Sequence, residues 1–242
     1  MIGLLLGMWQ LVVTLEIYPS FIIPAPSAVF DEFVDVLLDG SLLVHTRVTF
    51  IEMSLGLLIG GSLGVIFGYL IAKNRILEDA LSPIIVALQS TPIVAYAPLL
   101  IIWFGSGITS KIITASLIVF FPMLMNTVVG LRNVPKNLQD LMRSLNATPW
   151  QLFTRLEIPA ALPVLLTGLK TSATLAVIGA VVGEFVSASE GLGFLVTIAR
   201  NQFNTPLVFV AVFTMTAMAL SLYLSISLLE RYLLRWQYRS NL

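Results

Sequence analysis

The chain has 242 residues, 57% hydrophobic and 11% charged, with a mean hydropathy of +0.96. A soluble domain ordinarily carries roughly 25% charged residues, so the bilayer is the solvent for most of this sequence, which reads as one transmembrane domain over 1–242. With no cysteine there are no disulfides or thiolate metal sites, the single His45 cannot build a metal site alone, and a formal net charge of zero argues against nucleic acid as a partner.

A hydrocarbon core of about 30 Å needs roughly 20 apolar residues per helix, and runs of that kind predict an all-α protein of about six spans: 3–17, 49–71, 84–103, 112–131, 162–186 and 207–229. The first lacks the basic start and small-residue cleavage site of a secretory signal, so it is read as a retained span, and its abrupt start is compatible with a longer N-terminus. The third carries Pro83, Pro92 and Pro98 and is expected to kink or break.

Lys and Arg cluster after the second span (Lys73, Arg75), the fourth (Arg132, Lys136, Arg143, Arg155) and the sixth (Arg231, Arg235, Arg239). The opposite loops hold only Arg47, Lys111 and Arg200, with an acidic first loop of Asp31, Glu32, Asp35 and Asp39. The positive-inside bias then places both termini in the cytoplasm.

Gly56, Gly60, Gly64 and Gly68 recur every fourth residue along one face of the second span, and Gly179 and Gly183 join Ser172, Ala176 and Ala180 on the fifth. Such faces let helix backbones approach closely in lipid, and ordinary packing within the bundle is the expected use of both.

Between the fourth and fifth spans, 132–163 is too polar to cross and too patterned for a linker. Leu138, Leu141, Met142 and Leu145 follow helical spacing, Asn146 suits a left-handed helix end, and Thr148, Pro149 and Gln151 form a capping box that starts a second helix. Trp150, Phe153 and Leu156 then share a face, and Pro159 and Pro163 are expected to end the unit. An interfacial helix on lipid and a docking helix for a soluble partner fit these residues equally.

The segment resembles the signature of bacterial ABC importer permeases, EAA, three residues, G, nine residues, I-x-L-P: here Asp140, Leu141, Met142, then Asn146, then Leu156, Glu157, Ile158 and Pro159. The spacing holds, and the identities depart most where Leu and Met replace alanines. Ser90-Thr91-Pro92, Ala97-Pro98-Leu99-Leu100, Trp103-Phe104-Gly105-Ser106-Gly107, Ser110-Lys111, Glu184 and Gly191-Leu192-Gly193 look like the nitrate, sulfonate and taurine branch. The likeness covers a core of about 46–235.

The resemblance implies a type I importer fold with a coupling helix in 132–163, in which Leu145, Asn146, Ala147, Thr148, Pro149 and Trp150 enter a groove on a cytoplasmic ATPase. Asp140 and Arg143 would hold the two short helices in register or contact that ATPase. It further implies two ATPase copies, a second and identical permease, and an extracytoplasmic binding protein that supplies most of the selectivity. The chain lacks a GxxxxGK[ST] loop, so ATP and Mg are expected on the ATPase, with no cofactor or catalytic residue in this chain.

Within the spans, Glu184 could touch solute or gate or be a hydrogen-bonded structural acid, and Glu52 is read as structural. Gln89 and Asn126 suit interhelical hydrogen bonds or solute contact, and Phe104, Phe120 and Phe121 suit packing or an apolar gate. Acids without a central Lys or Arg favour a neutral or aromatic solute, such as a vitamin or its pyrimidine or flavin precursor, over a small anion. An ion-coupled secondary transporter is the alternative, although the two halves show no internal repeat. An intramembrane hydrolase is disfavoured because no nucleophile and base are paired.

Overall fold

A computed structural model describes residues 2–16, 18–19 and 21–235; Ile17, at the end of the first predicted span, and Arg239, of the basic C-terminal group, lie outside them. All regular elements among the described residues are helices: α1 (Ile2–Thr14), α2 (Pro26–Leu38), α3 (Ser41–Lys73), α4 (Arg75–Ser90), α5 (Ala97–Phe104), α6 (Ile108–Arg132), α7 (Lys136–Ser144), α8 (Pro149–Leu152), α9 (Ile158–Val186), α10 (Leu192–Asn201) and α11 (Thr205–Leu233).

By length and composition α3, α6, the continuous helix 149–186 and α11 are long enough to cross a membrane. The third predicted span breaks at two of its three prolines, into α4 and α5 joined through a short 3-10 turn, with Pro92 before that turn and Pro98 at the start of α5, while Pro83 lies within α4. The two pieces still make one crossing. Gly56, Gly64 and Gly68 of α3 face Ala115, Phe120 and Thr127 of α6 in rising order, so α3 and α6 run parallel and the chain must return between them. Lys111 against Gly183 and Gly130 against Ala161 make α9 antiparallel to α6, and the Lys170–Glu230 ion pair, 2.7 Å, makes α11 antiparallel to α9.

Two elements depart from the sequence expectation. α2 forms where only an acidic loop was expected, with Pro26 in its first turn and Val29 and Val36 buried. α10 forms between the fifth and sixth spans and buries Leu192, Leu195 and Ala199. Both are too short and too mixed in polarity to register as spans. A third departure concerns Pro159 and Pro163, which do not end the helical unit. The chain passes from α8 into α9 through a π-helical turn, Phe153–Glu157, closed by the Ile158 N–H bonding to the Phe153 carbonyl. A wider turn leaves room for the proline ring that a regular turn would push against the preceding carbonyl.

α6 is the centre of the bundle. A methyl group added at Gly64 would lie 2.8 Å from the Phe120 carbonyl oxygen, and one at Gly68 2.7 Å from that of Leu124. On the other side Gly179 approaches the Ala115 Cα at 2.5 Å by the same measure, so Ala115 lies between the glycine faces of α3 and α9. Lipid supplies no hydrophobic drive between helices, and close van der Waals contact through small residues replaces it.

Candidate functional site

At the end of the bundle where α3 and α6 finish, α7 and α8 form a helix-turn-helix. Asn146 takes φ +54, with its N–H bonded to the Arg143 carbonyl at 2.9 Å and the following Ala147 N–H to that of Met142 at 3.0 Å, the paired closure of a helix C-terminus. Thr148 and Gln151 complete the capping box: Oε1 of Gln151 accepts from the Thr148 N–H at 2.8 Å, and the Thr148 hydroxyl accepts from the Gln151 N–H at 3.3 Å. Ala147 is half-buried and Pro149 exposed between them. Asp140 and Arg143 pair with each other across one turn of α7, 3.7 Å apart and exposed, so the register of the two helices comes from the caps rather than from this pair.

The tip is uncovered. Leu145 is 68% and Trp150 70% exposed, and neither α7 nor α8 buries a residue within the chain. The base, by contrast, is braced to α3. The Phe153 ring lies 5.1 Å from that of Tyr69 and 5.6 Å from that of Trp150, and the buried Glu157 is ion-paired with Lys73. A polar basin of about 700 Å³ opens beside the brace, lined by Lys73, Arg75, Glu78, Asp79 and Arg132, in which Glu78 and Arg132 form an ion pair. Arg132 beside Glu78 holds that carboxyl below the usual glutamate range.

The opposite end holds a buried polar node. Glu184 is 2% exposed; one carboxyl oxygen accepts from the Thr49 hydroxyl at 2.6 Å and the other from the Gly193 N–H. Thr49 in turn accepts from the Leu192 N–H at 2.8 Å, and Nδ1 of His45 accepts from the Gly191 N–H at 3.0 Å. Three side chains of α3 and α9 thus satisfy the three amides that open α10, donors that no helix can satisfy internally. Gly191 has φ +115, and a methyl group there would overlap the Glu184 carboxyl, so glycine is required on both grounds.

Lys111 is also buried, its Nζ donating to the carbonyls of Ser106 and of Gly107, the latter at 3.0 Å. This corrects the expectation that Lys111 belongs to a loop outside the spans. Lys111 is the fourth residue of α6, where sequence position alone reads as loop, and Gly183 makes room for its stem. His45, Thr49 and Lys111 were not singled out as site residues, and Glu184 with Gly191–Gly193 was the signal that pointed to the node.

The pathway candidates are dispersed. Gln89 is exposed on α4, Phe104 is half-exposed at the end of α5, and the Asn126 amide donates to the Pro122 carbonyl of its own helix at 2.8 Å while packing against Gly168. No hydrogen bond or ring contact joins these three or Glu184 among the described residues.

Residues 60–237 match the family described as binding-protein-dependent transport system inner membrane component. The chain belongs to that family. It is 47% identical to the riboflavin transport system permease protein RibX of Chloroflexus aurantiacus, over 97% of this chain and 87% of that protein. It is 35% identical to the formylaminopyrimidine transport permease protein ThiX of Halalkalibacterium halodurans, over 97% and 93%, and 29% identical to the taurine transport system permease protein TauC of Escherichia coli, over 97% and 87%.

Among solved structures, an inward-facing form of the MetNI methionine ABC transporter matches with a TM-score of 0.65 over 81% of this chain and 96% of that one, at 20% identity. The fold is that of ABC importer permeases, as the resemblance implied. This chain is accordingly a multi-pass transmembrane permease subunit of an ATP-driven importer, of the sulfonate and taurine-like branch, and such subunits work with an ATPase and a binding protein.

Proposed function

We propose that the helix-turn-helix tip, Leu145, Asn146, Ala147, Thr148, Pro149 and Trp150, is the coupling element that enters a groove on a separate ATPase, with Asp140 and Arg143 at its rim. The observation that carries the reading is the contrast between tip and base: Trp150 is 70% exposed, while Phe153 and Glu157, a turn or two later, are fixed to Tyr69 and Lys73 of α3. A push on the tip therefore reaches α3 and α9 together and rocks the bundle as a rigid body. ATP and Mg belong to the ATPase, two copies of which serve two identical permease chains, and both termini lie with the coupling tip on the cytoplasmic side.

The solute assigned is a flavin or related heteroaromatic vitamin precursor, delivered by an extracytoplasmic binding protein. The 47% identity to RibX over nearly the whole chain supports this class. So does the interior: the buried Lys111 is turned onto backbone carbonyls and Lys170 is paired with Glu230, which leaves neither lysine free to attract a small anion. Glu184 is assigned to holding the start of α10 rather than to solute.

The complex reconstituted in liposomes with its ATPase and binding protein is expected to accumulate riboflavin only with ATP, and Trp150→Glu is expected to abolish both uptake and ATPase retention during purification. Full retention and uptake by that variant would reject the coupling assignment. Uptake of taurine or nitrate with no flavin uptake would reject the solute class and leave the coupling assignment standing.

A further inference from the structure

Phe203 closes α10. The Asn204 N–H bonds to the Ala199 carbonyl at 2.9 Å and the Phe203 N–H to that of Arg200 at 3.2 Å, the closure in which the residue after the cap turns left-handed and glycine or asparagine is favoured. Phe203 fills that position with φ +56 and is the only aromatic residue with positive φ among the described residues. A bulky residue in this conformation is an outlier. It is also 82% exposed, so no packing within the chain offsets the strain. Strain of this kind persists at functional sites, where the side chain is needed in that place.

The surrounding frame is rigid. Asn204 caps α11 by accepting from the Leu207 N–H at 3.2 Å and donates to Glu32 of α2 at 2.9 Å, while the Thr205 hydroxyl donates to the Phe21 carbonyl. These bonds bring the α1–α2 and α10–α11 loops together, and Phe21 is 62% and Ile22 48% exposed. Three apolar side chains are thus presented at the end of the bundle away from the coupling tip. α2, whose Glu32 holds the loop, also presents Asp31 and Asp35 to solvent.

We infer that Phe203, with Phe21 and Ile22, is an anchor for the extracytoplasmic solute-binding protein, entering an apolar socket rimmed by basic side chains on that partner. Exposed aromatic residues ringed by polar groups are the pattern of an interface hot spot, and acids beside them favour a basic partner. A lipid anchor would instead carry mainly Lys and Arg, which anionic headgroups attract, whereas here the exposed Arg200 at the end of α10 stands against the exposed Asp31 and Asp35 of α2. The inference rests on the proposed reading in that it takes the end opposite the coupling tip as extracytoplasmic.

The test uses the full complex in nanodiscs and measures its Kd for the binding protein together with its unfolding temperature. Phe203→Gly removes the ring and relieves the backbone, so it is expected to unfold at the same or a higher temperature while binding at least tenfold more weakly. Phe21→Ser, in the other loop, is expected to weaken binding severalfold. Wild-type affinity in both variants overturns the inference, as does unchanged affinity accompanied by altered lipid association, which would assign the patch to the bilayer. A wild-type complex with no affinity for the binding protein would overturn the transport arrangement itself, and this anchor with it.

Discussion

Glu157 in the π-helical turn is ion-paired with Lys73 in the last turn of α3, 84 positions earlier in the chain. The pair spans the base of the α7–α8 helix-turn-helix, and its two sides are unequal: the Glu157 side chain is 3% exposed and that of Lys73 41%. Removing the lysine strands a buried carboxylate. Lys73→Met is expected to cost about 1–2 kcal/mol, below the range for a fully buried pair because water screens Lys73. Lys73→Met with Glu157→Gln should recover part of that loss in a thermal unfolding scan, and complexes assembled with either variant should move less solute per ATP hydrolysed by the ATPase.

The α3–α6 contact separates two adjacent glycines. A methyl group at Gly60 would overlap the Ser116 carbonyl, whereas at Gly61 it would meet nothing within 4 Å. Gly60→Ala is expected to destabilise by about 1–3 kcal/mol, and Gly61→Ala to be neutral or stabilising by up to about 1 kcal/mol. Detergent-challenge unfolding of the two variants side by side checks the assignment, and equal stability would refute it.

Asn146 lies in the left-handed region between the two short helices. Asn146→Gly should keep or slightly raise stability and retain transport. Asn146→Leu should cost about 1–2 kcal/mol, the ordinary penalty for that conformation, and lower uptake by misdirecting Trp150. Uptake by Asn146→Leu equal to wild type would show that the turn geometry does not set the tip.

Glu184 accepts the amide that opens α10 at Gly193. Glu184→Ala leaves that donor buried and unpaired, a loss of about 1–3 kcal/mol, and hydrogen exchange should speed up at Gly191–Gly193 before anywhere else in the bundle. Gly191→Ala should be as damaging, and adding Glu184→Ala should not rescue it, because the backbone at φ +115 remains strained.

Arg132 keeps Glu78 below the ordinary glutamate value of about 4.3. A carboxyl lowered on folding stabilises at pH above its unfolded value and loses that contribution as pH falls through the lowered one. The difference in unfolding temperature between wild type and Glu78→Gln is therefore expected to be constant from about pH 6 to 8 and to close below about pH 4.

Apolar run length and charge position determined that this is a helical membrane protein, because a bilayer accepts little else. Local backbone chemistry determined the helix-turn-helix of α7 and α8 just as directly: Asn146 turns left-handed and Thr148 and Gln151 cap each other, interactions that need no distant partner. The break between α4 and α5 was legible for the same reason, since proline acts on its own turn.

What the tertiary structure decided are the relations between residues far apart in sequence. That Glu184, Thr49 and His45 serve one helix start, that Lys111 is interior, and that Lys73 braces Glu157 all follow from which faces of α3, α6 and α9 meet. α2 and α10 formed because burial of a few side chains against those helices outweighed a weak local preference. Periodicity records what one helix prefers, and only packing sets which polar groups must find partners with one another.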